Sequence, residues 1–239
     1  MPTHSAQRDP RLFPPLRHAR FYHLTVLRRA LEATLPHIAA RPGATVVDLG
    51  CGNTPYRPLF APFGTRYVGV DLPGNPQADL FFDANGRAPL PDASADVVVS
   101  TQVLEHVSSP EAYLRECVRL LRPGGALILS THGYWMFHPD PTDFWRWTSS
   151  GLRRIIEEQG LQVVQWQGVM GLLPTSLQLL QDSVLRALPF LVRQPFILLM
   201  QALIALGDQV QGARGRAADA CVFVVVATQP PATTMGDAR

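Results

Sequence analysis

The run Val46-Val47-Asp48-Leu49-Gly50-Cys51-Gly52 constrains this chain more than any other stretch. Thr45, Val46 and Val47 are β-branched, and a short apolar run of this kind suits a buried strand. The glycines at 50 and 52 then make a tight turn, and without a Cβ they let a ligand lie directly against the main chain. Thr54 is placed to cap a helix whose first position is Pro55. A helix start points unpaired N–H groups at whatever the turn holds. About twenty residues on, a second strand, Arg66-Tyr67-Val68-Gly69-Val70, ends in Asp71, where an acid can accept both hydroxyls of a ribose. Strand, glycine turn, helix, strand and acid make half of a nucleoside-binding α/β fold.

The glycine spacing narrows the ligand. A dinucleotide fingerprint requires G-x-G-x-x-G, and the position three after Gly52 is Pro55. Asp48, two residues before the first glycine, is unsuited to phosphates and suits a cation. The string Asp48-Leu49-Gly50-Cys51-Gly52 resembles motif I of the class I S-adenosylmethionine (SAM) methyltransferases, whose cofactor carries an ammonium and a sulfonium. One departure is Thr54, where that family often has a third glycine. The resemblance implies a seven-stranded, doubly wound, Rossmann-like sheet with helices on both faces. It also implies SAM held by Asp48, Gly50, Cys51, Gly52, Asp71 and Leu72.

Further matches follow in order. Asp79 to Phe82 is a short third strand leading to Asp83-Ala84. This resembles the family's third motif, in which the acid takes the adenine amino group and the next N–H meets the ring. Leu90 to Ser100 resembles the family's turn and fourth strand, and Thr101, Gln102 and Val103 follow at its carboxyl end, where open parallel sheets bind ligands. Gln102 is thereby a cofactor candidate. Leu104-Glu105-His106-Val107 resembles a tetrad frequent in the small-molecule branch, which makes His106 a candidate base. Ser108 stands three before Glu111, a capping-box spacing with Pro110 in the first turn. The helix it starts is expected to turn Ala112, Cys117, Val118 and Leu121 to the sheet. Arg122-Pro123-Gly124-Gly125 stops that helix before a fifth strand, Ala126 to Ser130, and Leu121 to Leu129 resembles the family's L-R-P-G-G-x-L-x-L.

Thr131 to Thr148, THGYWMFHPDPTDFWRWT, is the least ordinary composition in the chain. Following the fifth strand, it should emerge beside the transferable methyl group. Tyr134, Trp135 and Trp145 offer a wall for a ring-shaped substrate, and Asp140, Asp143 and Arg146 offer polar contacts. His138-Pro139 to Thr148 also resembles the H-P-x-P-x-D-x-W-R-x-T stretch of methyltransferases met among cell-surface glycan genes, which implies a small-molecule or glycan-like acceptor. A hydroxyl acceptor needs a general base, and His138 and His132 lead, with Asp140 and Asp143 as orienters. The other arrangement is an Asp143–Arg146 pair with tryptophans that simply pack. No metal-type spacing is present, and no metal is expected.

Composition excludes other chemistry. All 21 basic residues are arginine, so a P-loop, a Schiff-base lysine or a Tyr-x-x-x-Lys site has no lysine to use. The net charge of +2 calls for no nucleic-acid partner. Cys51, Cys117 and Cys221 fall in a turn, a helix and a strand, as structural thiols of a reducing compartment. No apolar leader stands at the start, and a cytoplasmic enzyme is expected.

Residues 1–19 and 229–239 are expected as flexible tails around a methyltransferase domain at 20–228. Within it, a helix from Phe21 to Leu35 precedes the first strand. Leu152, Ile155 and Ile156 line a helix capped by Thr148 or Ser149, and Leu161 to Gln167 is strand six. Cys221 to Thr228 is expected as an antiparallel strand seven. Between them, 168–220 is an apolar helical insertion, far longer than a hairpin needs. It is expected as a lid, a homodimer contact or a peripheral membrane contact through 172–210. Its longest apolar run, Pro195 to Leu206, is expected to be too short to span a bilayer. The alternatives to methyl transfer are a non-catalytic SAM-binding scaffold and a nicotinamide oxidoreductase.

Overall fold

The computed structural model describes residues 9–230. In chain order it contains α1 (Phe21–Glu32), α2 (Pro36–Ala39), β1 (Thr45–Leu49), α3 (Arg57–Phe60), β2 (Arg66–Asp71), β3 (Leu80–Phe81), β4 (Ala95–Thr101), α4 (Pro110–Leu120) and β5 (Leu121–His132). There follow α5 (Ser149–Glu157), β6 (Gln162–Gly171), α6 (Leu172–Leu185), α7 (Phe190–Val210), α8 (Ala213–Ala218) and β7 (Ala220–Thr228). The strands form one sheet in the order β3-β2-β1-β4-β5-β7-β6. β7 runs antiparallel to β5 and β6, and every other pairing is parallel. The strand order reverses between β1 and β4, and such a switch point opens a crevice at the strands' carboxyl ends.

Alternation along the strands builds two apolar layers. Val47, Leu49, Val98, Leu127, Leu129 and Phe223 face α4 and α5, which contribute Leu114, Cys117, Leu120, Leu152 and Ile156. Val46, Val97, Val99, Ile128, Val222 and Val224 face the other way, against Leu27 and Leu31 of α1, Phe60 of α3 and Ile204 of α7. Strands covered on both faces read as continuous apolar runs, which is why they are legible in the sequence.

Three local expectations are corrected. Thr54 caps nothing: it adopts a left-handed φ of +52°, and the helix begins only at Arg57, behind Tyr56, which makes no side-chain cap. Left-handed backbone is where glycine fits without cost, and this turn holds a threonine there instead. The cap of α4 is Ser109, not Ser108. Its hydroxyl accepts from the N–H of Ala112, Pro110 takes the first helical position, and the buried face becomes Tyr113, Leu114, Cys117 and Leu120. Thr148, in contrast, caps α5 as expected, through the N–H of Gly151.

The third correction concerns α7. It runs for 21 residues, Phe190–Val210, with Pro195 inside it, and by length and composition alone it is long and apolar enough to cross a membrane. Polar residues inside it are satisfied by neighbours. Gln201 donates to the carbonyl of Ala19 at 2.8 Å and to Oε1 of Gln181 at 2.8 Å, while its own Oε1 accepts the N–H of Tyr22 at 2.8 Å. Asp208 accepts from the Tyr22 hydroxyl at 2.9 Å and the Gly171 N–H at 3.2 Å. The insertion is thus tied to α1 and β6. Its other side leaves Phe190, Leu191, Leu199, Leu206 and Val210 exposed.

Residues 9–19 are not a free tail either. Leu12 is buried, Arg28 donates to its carbonyl, and Asp9 and Arg11 both bond to Asn53 beside the glycine turn. Residues 1–8 and 231–239 of the expected tails lie outside the described residues.

Candidate active site

The carboxyl ends of β1, β2, β4 and β5 meet at one edge. Gly50 and Gly52 both have positive φ (+73° and +53°), so the turn needs glycine twice. A Cβ on Gly50 would stand 2.5 Å from Val103, and one on Gly69 in β2 would stand 2.9 Å from the Cys51 sulfur. Cys51 is therefore packed against β2, and all three cysteines are free and buried. Asp71 stitches the turn together. Its Oδ2 accepts the Gly52 N–H at 2.8 Å and the Asn75 amide at 2.5 Å, and its Oδ1 accepts the Leu72 N–H at 2.7 Å.

Asp48 lies at the bottom of this edge, 1% exposed. One oxygen accepts from the Tyr67 hydroxyl, and the other, Oδ1, has no partner. Burial raises its pKa to about 7, against the opposing pull of the Tyr67 hydrogen bond. Gln102 takes a left-handed φ of +57°; its amide nitrogen donates to the Ser130 hydroxyl at 3.0 Å, and its buried Oε1 has no partner. A buried carboxylate oxygen and an amide oxygen without donors suit a ligand that brings its own N–H groups and positive charge. Asp83 and Ala84 lie farther out in an exposed turn, where Oδ1 of Asp83 accepts the N–H groups of Asn85 and Arg87 at 2.8 Å each.

The loop after β5 is laced onto the tetrad after β4. The N–H groups of Phe144 and Trp145 donate to the Glu105 carbonyl, the Trp145 indole to the Val107 carbonyl, and the Trp147 N–H to the His132 carbonyl. Nδ1 of His106 bonds the Thr142 carbonyl. This brings three histidines together: the His138 ring stands 4.9 Å from those of both His132 and His106, edge-on in each case. Glu105, 0% exposed, lies behind them; its Oε2 accepts from Thr131 at 2.8 Å, and its Oε1 stands 3.6 Å from Nε2 of His132. Burial holds the His132 pKa well below the usual imidazole range and raises that of Glu105. His138, half-buried, is lowered by burial too, with Asp143 pulling the other way.

The expected aromatic wall divides. Trp135 is a packing residue, stacked between His23 (5.1 Å) and His132 (5.4 Å). Tyr134 and Trp145 are exposed, with the Tyr134 hydroxyl donating to Asp219. Asp143 and Arg146 form a two-armed pair at 2.6 Å per arm, and Asp143 also accepts the His138 N–H at 2.8 Å. Asp140 is exposed, preceding a cis peptide to Pro141. Glu105, Tyr67 and Asn75 escaped the sequence reading. The only available signal for Glu105 was a carboxylate set between Leu104 and Val107.

The chain belongs to the methyltransferase domain family, whose model matches residues 16–166. More narrowly, it is a class I SAM-dependent member, with SAM as cofactor. It is 32% identical to a probable S-adenosylmethionine-dependent methyltransferase of Mycolicibacterium smegmatis over 53% of this chain and 55% of that one. It is 37% identical to the ubiquinone biosynthesis O-methyltransferase of Cereibacter sphaeroides over 43% of this chain and 45% of that one. The chain thus spans about half the length of these curated relatives. Among solved structures, it resembles a SAM-dependent methyltransferase of Mesorhizobium loti, with TM-score 0.54 and 18% identity over 85% of this chain and 98% of that one. The 1,6-didemethyltoxoflavin-N1-methyltransferase of Burkholderia thailandensis, solved with S-adenosylhomocysteine, gives TM-score 0.54 and 18% identity, with 86% and 79% covered. At these identities the structures bear on the fold alone.

Proposed function

We propose that the chain transfers a methyl group from SAM to an oxygen of a small-molecule or glycan-like acceptor. The observation that carries this reading is the cluster of His106, His132 and His138 at the edge where β1 and β2 present Asp48 and Asp71. Bound SAM would supply an electrophilic methyl group on a sulfonium. Asp71 would take the ribose hydroxyls, in exchange for Asn75 and the Leu72 N–H. The free Oδ1 of Asp48 and Oε1 of Gln102 would meet the cationic end.

His138 is the best placed base. It is neutral near pH 7, it is half-buried, and its Nδ1 faces the Met136 carbonyl at 3.3 Å. A proton on Nδ1 leaves Nε2 to accept one from the acceptor hydroxyl. As the oxygen attacks, the carbon–sulfur bond breaks, the hydroxyl proton passes to His138, and the methyl ether and S-adenosylhomocysteine leave. The name of the Cereibacter relative, an O-methyltransferase, supports oxygen as the acceptor atom.

Calorimetric titration with S-adenosylhomocysteine, followed by SAM turnover with sugars and phenols, tests the reading. Micromolar binding with turnover of a hydroxyl acceptor supports it. Binding without turnover of any acceptor favours a non-catalytic SAM-binding scaffold. In the same reading the protein works in the cytoplasm, and the exposed ridge of α6 and α7 meets a membrane surface or a second copy of the chain. Vesicle co-sedimentation and light scattering separate those two.

A further inference from the structure

The histidines also stand in a second relationship. Glu105, His132 and His138 each offer one ligand atom, and the three atoms lie within 4.8 Å of one another. The three come from separate segments: the tetrad after β4, the last residue of β5, and the loop beyond it. Oε1 of the fully buried Glu105 has no hydrogen-bond partner, and neither has Nδ1 of His132. A buried carboxylate oxygen without a donor costs folding free energy unless something positive meets it. Arg146 is not that group, because Asp143 takes both its arms.

We propose that Glu105, His132 and His138 bind a divalent first-row transition metal, zinc in the first instance. Two imidazoles and one carboxylate make a mixed nitrogen–oxygen set that suits such ions, and three protein ligands leave a position open for a further oxygen. Ligand bonds of about 2.1 Å place tetrahedral ligand atoms about 3.4 Å apart, so the observed spacing closes by a modest turn of the half-buried His138 side chain. Nδ1 of His138 stands 3.3 Å from the Met136 carbonyl and 3.4 Å from Oδ2 of Asp143, two acceptors for a proton on that nitrogen, with the Arg146 guanidinium also at 3.4 Å. A partner of this kind fixes the tautomer and leaves Nε2 as ligand.

The inference rests on the O-methylation reading and changes the part His138 plays in it. The acceptor hydroxyl would occupy the open position, where the metal lowers its pKa. The proton would then pass to His106, the histidine left outside the ligand set. No electron changes hands: one oxygen–carbon bond forms as one carbon–sulfur bond breaks.

The test is titration of the chelator-treated full chain with cobalt(II) alone, followed by its visible absorption and by calorimetry. One equivalent should bind with micromolar or tighter affinity and give the intense d–d bands of a low-coordinate site. His138→Gln, at a half-buried position, and Glu105→Gln should each weaken binding about 100-fold or more, with thermal melting to confirm that both fold. Absence of binding by the folded wild type, or unchanged binding by folded His138→Gln, overturns the proposal. S-adenosylhomocysteine titration of the same samples separates the two readings. If it binds and cobalt does not, the metal falls and methyl transfer with His138 as base stands. If cobalt binds and it does not, the metal site stands and the methyl-transfer reading falls.

Discussion

Oδ2 of Asp71 accepts the main-chain N–H of Gly52 at 2.8 Å, so the acid that ends β2 also fixes the glycine turn that follows β1. Asp71→Ala should weaken S-adenosylhomocysteine about 10- to 100-fold, from the loss of charged hydrogen bonds worth about 1.5–3 kcal/mol. The thermal midpoint should fall by only a few degrees, because the donors left behind on Gly52, Leu72 and Asn75 are not buried. Calorimetry beside a melting curve checks both, and unchanged affinity would take Asp71 out of the cofactor site.

With Asp48 in the proposed cofactor site, binding should depend on pH. Burial raises its pKa to about 7 from the usual carboxylate value, so the folded state holds the proton more tightly than the unfolded chain. Its contribution to stability is therefore complete below about pH 4 and is lost as pH rises through about 7. Asp48→Asn should raise the melting temperature at pH 8 and leave it unchanged at pH 4. Only the ionised carboxylate attracts an ammonium, so wild-type affinity for S-adenosylhomocysteine should rise from pH 6 to pH 8. A flat affinity profile would disconnect Asp48 from the ligand's charge.

Asp143 holds the Thr131–Thr148 loop together. The Arg146 guanidinium keeps its carboxyl well below the usual range, so the stability it brings is present above the ordinary carboxylate pKa and is lost as pH falls through the folded value. Asp143→Asn should cost about 1–3 kcal/mol at pH 7 by leaving Arg146 and the His138 N–H poorly paired. The shift in urea midpoint measures this, and a loss below about 0.5 kcal/mol would mean that the loop stands without the pair.

Gln201 joins the insertion to the amino-terminal helix through the Ala19 carbonyl and the Tyr22 N–H. Gln201→Leu should destabilise the protein by about 1–3 kcal/mol, although leucine suits a helix as apolar as α7. Faster hydrogen exchange at Tyr22 should accompany the loss. An unchanged melting temperature would show that the network adds nothing to stability.

Much of the sheet was legible because its signals are local. Strands buried on both faces read as apolar runs, and Gly50, Gly52 and Gly160 mark backbone that turns left-handed. Misreadings arose where two adjacent residues carry the same signal. Ser108 and Ser109 both suit a cap, and Pro110, which takes the first helical position and keeps the residue before it extended, makes Ser109 the cap. Thr54 resembles a cap by type, yet the turn forces it into a conformation that denies it that role.

By itself, the sequence determined β1, its glycine turn and β2, and the apolar helices between β6 and β7, while the seven-stranded sheet came from the resemblance to a family. Each of those elements depends on residues within one strand, turn or helix. The tertiary structure decided which polar groups meet. Glu105, His132 and His138 come together because β4 and β5 end side by side and the Thr131–Thr148 loop folds back onto Glu105 and Val107. Gln201 and Asp208, polar residues inside the apolar α7, find partners on Tyr22 of α1. Contacts between distant segments are set by sheet register and loop closure, and those leave no periodicity in the chain.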